Sequence, residues 1–344
     1  MKKLVLATLL AAAAGMASAQ TVYGIVDLGV TTATNAAGTT KSATGISNGG
    51  LSTSRFGITG GEDLGNGLKA SFTLEGEILA DSGTQGTTAT DLFHRGAFLK
   101  LDQAGLGAVR IGRFNRHDYT QAVKYDNFGG NNIGGWVASN SGTVNLDVNT
   151  RITNAVEVQS ASISGVVVTG QYSAGEVAGA ITSGRTVAVG AEYTLGKLSV
   201  AGNYVEKNAT TAGYATTKVK SAYAAYDFGV AKTSAGYAQT ETEGSAVKPS
   251  GYFVGAQVPV TAKVTALAQY NAFDNDAGLK PKTYALGATY AFSKRTTGYV
   301  IGARSSQDGT SAQNVVSTSK YNGFDTPPAG ANQTVASVGL RHTF

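Results

Sequence analysis

Few residues in this chain could make or break a bond. His94, His117 and His342 lie far apart, and no His-x-x-x-His pair or His/Asp/Glu cluster offers metal-ligand spacing. Cysteine is absent, which removes thiolate chemistry and disulfides together. Gly45-Ile46-Ser47-Asn48-Gly49 matches G-x-S-x-G, but it sits in a Ser/Thr/Gly stretch with no helical pattern after it, so the strained elbow that would expose a serine nucleophile is missing. The glycine-rich run Gly61-Glu62-Asp63-Leu64-Gly65-Asn66-Gly67 holds two carboxylates that repel phosphate, and no helix N-terminus follows. It reads as a turn. What the sequence does offer is charge at a period of two. Arg55 shares parity with Gly57, Thr59 and Asp63 against Phe56 and Ile58, and Arg151 shares parity with Thr153, Glu157 and Gln159 against Ile152, Val156 and Val158. Fixed charges on the wet face of strands act by field, not by catalysis: rings of Arg favour anions and rings of Asp or Glu favour cations.

The strands that would carry those charges are legible by their alternation. In 334–344, Val338, Leu340 and Phe344 fall on one face and Ser337, Gly339, Arg341 and Thr343 on the other. Segment 282–292 puts Tyr284, Leu286, Ala288, Tyr290 and Phe292 against Thr283, Gly287 and Thr289, with aromatic rings at its ends. Such rings suit the level of lipid headgroups. In 68–79, Leu68, Ala70, Phe72 and Leu74 oppose Lys69, Ser71, Thr73, Glu75 and Glu77, so the charged face cannot be the lipid face. A strand with an apolar outside and a wet inside belongs to a closed barrel, in which about 9–11 tilted residues cross the hydrocarbon. An exported soluble β-protein with one wet face also alternates. The number of such segments, with no second core-forming pattern, favours the barrel.

Residues 1–19 predict a cleaved signal peptide: Met1-Lys2-Lys3 is basic, Leu4 to Gly15 apolar, and Ala17-Ser18-Ala19 a small-residue cleavage site. The barrel domain is then 20–344, and export carries it to the bacterial outer membrane. Past the leader no run of about 18 apolar residues occurs, so any crossing is by closed sheet. Composition agrees, with 46 Gly, 16 Tyr, 5 Pro and a mean hydropathy of −0.05. Two of the 27 basic residues, Lys2 and Lys3, leave with the leader, so 25 face 22 acidic residues and the net charge is +3. No Lys/Arg block forms a phosphate-binding stripe, and nucleic acid is not an expected partner. Neither a metal nor a cofactor is expected.

Sixteen segments have strand character: 21–32, 55–63, 68–79, 94–102, 107–115, 150–159, 163–173, 186–194, 198–206, 219–228, 230–240, 250–258, 262–273, 282–292, 296–307 and 334–344. Short turns such as Leu195-Gly196-Lys197 and Ser293-Lys294-Arg295 alternate with long Gly/Ser/Thr/Asn-rich connectors, which puts the short turns and both termini in the periplasm. One connector, after 115, spans about 34 residues and holds the only tryptophan, Trp136, with Tyr119 and Phe128. A structureless loop beyond ~12–15 residues is usually functional or disordered. Its aromatic content predicts a loop folded into the lumen, because a 16-stranded barrel left alone encloses a wide channel. Connectors 33–53 and 308–332 have little to bury and are expected at the surface.

The run Ser54-Arg55-Phe56-Gly57-Ile58-Thr59-Gly60-Gly61-Glu62-Asp63-Leu64-Gly65-Asn66-Gly67-Leu68-Lys69-Ala70 resembles the second and third strands of the betaproteobacterial trimeric porins. So do Arg95-Gly96-Ala97-Phe98-Leu99, Gly107-Ala108-Val109-Arg110-Ile111-Gly112-Arg113, Arg151-Ile152-Thr153-Asn154-Ala155-Val156 and the ending Gly339-Leu340-Arg341-His342-Thr343-Phe344. The resemblance implies an all-β, 16-stranded antiparallel transmembrane β-barrel with an inward-folded third loop. It also implies a homotrimer set among outer-membrane lipid and lipopolysaccharide, and passive diffusion of small hydrophilic solutes and ions. By motif position it puts a basic wall at the constriction on Arg55, Arg95 and Arg151. Parity leaves Arg95 ambiguous, since Ala97, Leu99 and Leu101 share its face. Glu75, Glu77 and Glu157 are expected on the opposite side, making a transverse field. Asp118 or Asp126 would be the acid supplied by the loop, and the pattern does not rank them. Arg113 and Arg116 either join the basic wall or remain solvated loop charges. A channel with anion preference follows; a channel specific for one anionic solute and a barrel enzyme are the competing readings.

Overall fold

The structure is a computed structural model, and it describes residues 20–86, 91–130, 132–139, 144–148, 151–210, 215–316, 324 and 326–344. The expected signal peptide lies outside them. Eighteen strands follow one another in the chain: β1 Thr21–Ala33, β2 Ala43–Asn48, β3 Arg55–Gly65, β4 Leu68–Leu79, β5 Thr84–Gln85, β6 Gly96–Gln103, β7 Gly107–Asn115, β8 Arg151–Ser160, β9 Val166–Ser173, β10 Thr186–Leu195, β11 Leu198–Lys207, β12 Thr217–Asp227, β13 Lys232–Thr242, β14 Ser250–Pro259, β15 Val264–Asp274, β16 Lys282–Ala291, β17 Thr296–Ser306 and β18 Thr334–Thr343. Among the described residues two helices, α1 His117–Tyr125 and α2 Trp136–Ser139, lie between β7 and β8. All pairings are antiparallel: β2 and β3 both pair with β1, β4 pairs with β6 past β5, the other consecutive strands pair in order, and β18 returns to β1 with Leu28 opposite Leu340. The sheet is therefore closed and has no free edge.

β2 and β3 pair with the two ends of β1 and make up one interrupted wall strand, while β5 is a two-residue stub beside the end of β4. The wall is thus the expected barrel of 16 strands. Alternation explains it. Val338 is 62% exposed and Leu340 48%, whereas Val335 and Ser337, of the opposite parity, are buried. The same rule holds in β16, where Leu286 is 68% exposed and Thr283 fully buried. No helix among the described residues is long and apolar enough to cross a membrane; the strands do so.

Both connectors expected to stay at the surface depart from that reading. Ala43–Asn48 is a wall strand with Ile46 outward and Ser47 inward, a pattern masked by its Thr, Ser and Gly content. In the last connector, Val315 and Val316 are fully buried with Phe128 and Ile133 of the long loop. The Gln313 side chain accepts from Val144 N at 2.9 Å and donates to Val144 O at 3.2 Å, so this connector clamps the loop from above.

The loop itself folds into the barrel as expected. Trp136 is fully buried, with its ring 5.5 Å from Phe253 and 6.3 Å from Tyr223, and Tyr125 stacks on Tyr223 at 5.6 Å. Alanines at 188, 201 and 238 line the same patch, leaving room for these rings against β10–β14. Asn127 is tied to Ser234 at 2.8 Å, and its backbone N–H to Gln269 at 2.9 Å. One inner half of the wall is therefore covered; the half built from β3, β4, β6, β7 and β8 is not.

Candidate functional site

On the uncovered half, the hairpin register sets charges side by side. Arg55 lies opposite Glu77 and Gly57 opposite Glu75, and on the other flank of β4 Glu75 lies opposite Gly96. The Glu75 carboxylate accepts from Arg95 Nε at 2.7 Å and from Tyr23 Oη at 2.9 Å, and sits 3.6 Å from Arg55 Nε. Glu77 lies 3.3 Å from His94 Nε2 and 3.9 Å from Arg95 Nη1. Arg151 Nε donates to the Arg95 carbonyl at 3.1 Å, and Arg113 Nε to the His94 carbonyl at 2.5 Å. Among the described residues neither Arg113 nor Arg151 has a carboxylate within 4 Å. The cluster thus holds four guanidinium groups and two carboxylates.

Across a passage of ≈ 360 Å³, Arg55, Glu75 and Arg95 face Tyr119, Thr120 and Val123 of α1, with Gly129 and Asn132 beyond. That opposing surface is uncharged. A third side comes from the bend between β2 and β3, where Leu51, Ser52 and Thr53 turn into the lumen. Asp27 holds the bend: its carboxylate accepts from the backbone N–H groups of Gly50 (3.1 Å), Leu51 (2.9 Å) and Ser52 (2.7 Å) and from Tyr299 Oη (2.8 Å). Tyr299 reaches it only because positions 50 and 339 are glycine; a Cβ there would stand 2.3 Å and 2.2 Å from its hydroxyl oxygen. Asn132 Nδ2 donates to Leu51 O at 2.8 Å and so joins the bend to the loop.

The expected acidic wall is not formed. Glu75 and Glu77 belong to the same wall as Arg55 and Arg95, because neighbouring antiparallel strands bring their inward residues into contact. Glu157 lies elsewhere, opposite Arg110, from which it accepts at 2.7 Å while also accepting from Gln171 Nε2 at 2.7 Å. Arg110 rests on the rings of Phe98 and Phe114, 5.0 and 4.1 Å from their centroids. Its partnership with Glu157 went unread, although its inward parity against Val109 and Ile111 was a signal. Among the described residues Asp126 faces no arginine. It is buried beneath the loop, where it accepts from the backbone N–H of Trp136 (2.5 Å) and Phe128 (2.7 Å) and from Gln269 Nε2 (3.1 Å). Burial, against those bonds, holds its carboxyl above the usual range.

Arg116 is no solvated loop charge. It is 1% exposed and grips Asp118 with two bonds of 2.7 and 2.8 Å, with Asp147 3.6 Å away. Burial alone would lower its guanidinium, but the two carboxylates more than offset that and raise it. Asp118 is therefore spent within the loop. Parity also fails at the ends of β7 and β8. A bulge between Gly112 and Phe114 and the left-handed Asn154 (φ 49°) interrupt alternation, and Ile152 packs inward on Phe114. Arg151 joins the cluster through its bond to Arg95, not through the parity argument. Among the described residues no group of three or more His, Cys, Asp or Glu could hold a metal.

A family model described as Gram-negative porin matches residues 6–310. Outer membrane porin protein 32 of Delftia acidovorans is 32% identical over 362 aligned positions spanning 100% of both chains. The solved structure of an anion-selective porin from Comamonas acidovorans matches with a TM-score of 0.83 and 30% identity, covering 95% of this chain and 100% of that one. OmpT of Vibrio cholerae matches at 15% identity with a TM-score of 0.67, covering 94% of this chain and 97% of the other, a likeness of fold alone.

Proposed function

The chain belongs to the Gram-negative porin family, and from that premise we propose that its passage favours anions and that Arg55, Arg95, Arg113 and Arg151 set the preference. The protein is an outer-membrane channel for passive diffusion. One observation carries the ionic preference: Arg55 and Arg95 line one wall of the passage with a single carboxylate, Glu75, while Arg151 and Arg113 are bonded to the carbonyls of Arg95 and its neighbour His94, and the loop opposite is neutral. Glu75 and Glu77 are occupied by ion pairs, so the net field at the narrows is positive. Guanidinium groups keep their charge at every physiological pH. The lumen wall focuses that field, and salt screens it over a Debye length of about 8–10 Å.

The reading assigns no catalytic step: the solute passes unchanged. It takes residues 1–19 as a leader removed on export, the working unit as a homotrimer, and the surroundings as outer-membrane lipid with lipopolysaccharide. The porin relatives and the motif pattern support those parts.

The test is the reversal potential of the purified protein in a planar bilayer under a salt gradient. An anion-selective wild type whose preference weakens in Arg95→Gln supports the reading. A cation-selective wild type overturns it.

A further inference from the structure

Outside this cluster, one inward guanidinium remains unexplained. Arg341 stands on the inner face of β18, three residues before the chain's end and on the side of the short turns. Its register partner is Asp27, the nearest place for an ion pair. None forms. The Asp27 carboxylate is turned into the β2–β3 bend, saturated by three backbone N–H groups and the Tyr299 hydroxyl. Among the described residues Arg341 has no carboxylate within 4 Å. Its Nη1 donates to Ser52 Oγ at 3.2 Å, and its Nε is buried with no partner among the described residues. Ser52 in turn lines the passage with Arg55.

We infer that Arg341, with the Ser52 hydroxyl, forms an anion-binding step on the periplasmic side of the constriction, separate from the Arg55–Arg95–Arg151 wall. The ligand class is a small oxyanion, a carboxylate or a phosphate. A guanidinium presents a fork of N–H donors that matches such oxygens, and among the described residues Ser52 Oγ is the one acceptor its terminal nitrogens meet. The bend accounts for the arrangement. By drawing Asp27 away from β18, it leaves uncompensated charge along the exit of the passage, so an anion leaving Arg55 meets a second cation instead of an acidic barrier. Conduction favours sites that are multiple and individually weak, and Arg341 supplies the second.

The inference rests on the anion preference proposed above and is tested separately from it. Inorganic phosphate is added to one side at a time of bilayers holding oriented wild-type channels, and the reduction of chloride current is titrated from each side. For Arg341→Gln the apparent phosphate affinity from the periplasmic side should fall roughly fivefold, the effect of removing one charge at contact distance in water, with outer-side affinity unchanged. Arg341→Lys should restore most of the loss, and Ser52→Ala should show a smaller one. Equal phosphate affinity from both sides in wild type and Arg341→Gln overturns the inference while leaving the anion preference intact. A loss that is the same from both sides also overturns it, because it would merge Arg341 with the constriction. A cation-selective wild type removes its premise and fails the earlier reading instead.

Discussion

The two inner halves of the barrel wall obey the same alternation and end in opposite states. Along β10–β17 the inward residues include alanines, aromatic rings and uncharged polar groups such as Ser234 and Gln269, and the long loop lies on them with Trp136, Tyr125 and Phe128 buried. Along β3, β4, β6, β7 and β8 they are Arg, Glu and aromatic residues, and the lumen stays open in front of them. The channel is thereby narrowed from one side only. The loop goes where apolar area can be buried, because covering arginines would cost their hydration. The uncovered charges then become the surface that permeating solutes meet.

Five variants test that contrast. The largest effect belongs to the covered half: Trp136→Ala should cost about 3–5 kcal/mol of loop docking. It should appear as larger, noisier single-channel conductance with the barrel still folded; unchanged conductance would show that the ring does not hold the loop. Next is Asp126→Ala, which strands the Trp136 and Phe128 N–H groups and should cost about 1–3 kcal/mol, read as faster proteolysis of the loop in detergent. On the open half, Arg95→Gln should reduce the attraction for an anion by about 1 kcal/mol and weaken anion preference at low salt more than at high. Arg110→Gln should leave selectivity nearly unchanged, since Arg110 is matched by Glu157, and lower thermal stability instead. The smallest effect is on pH. Burial depresses the His117 imidazole below its ordinary 6.5, with Glu157 and Asp118 acting the other way. A group bound neutral in the fold stabilises above the unfolded pKa and less below it, so loop docking should weaken as pH falls through 6.5 towards 5. His117→Gln should flatten that dependence in thermal melts.

How far the sequence could be read depended on how local each signal was. β16 and β18 were plain because their faces differ sharply, Leu286 against Thr283 and Val338 against Ser337. Residues 43–48 were missed because only Ile46 marks a lipid face among Thr, Gly, Ser and Asn. Val315 and Val316 gave no signal of burial, since two adjacent valines in a polar connector fit neither period. The site was legible as a set of residues but not as an arrangement. Arg55, Glu75 and Arg95 are brought together by hairpin register, and a carboxylate one strand away looks the same in sequence as one across a lumen. The bulge between Gly112 and Phe114, with Asn154 left-handed opposite it, also broke the parity used for Arg151.

Alternation is a property of successive residues, so the chain by itself determined a closed sheet with an apolar outside, a wet inside and a long aromatic loop with something to bury. Which charges touch is a property of neighbouring strands and of where that loop settles. Only the tertiary structure decided that Glu75 and Glu77 pair within the arginine wall, that Asp126 serves the loop's backbone and that Asp27 turns away from Arg341. The physical reason is that Coulomb energy falls with distance in space, and closure of the barrel sets those distances between residues that can be hundreds of positions apart in sequence.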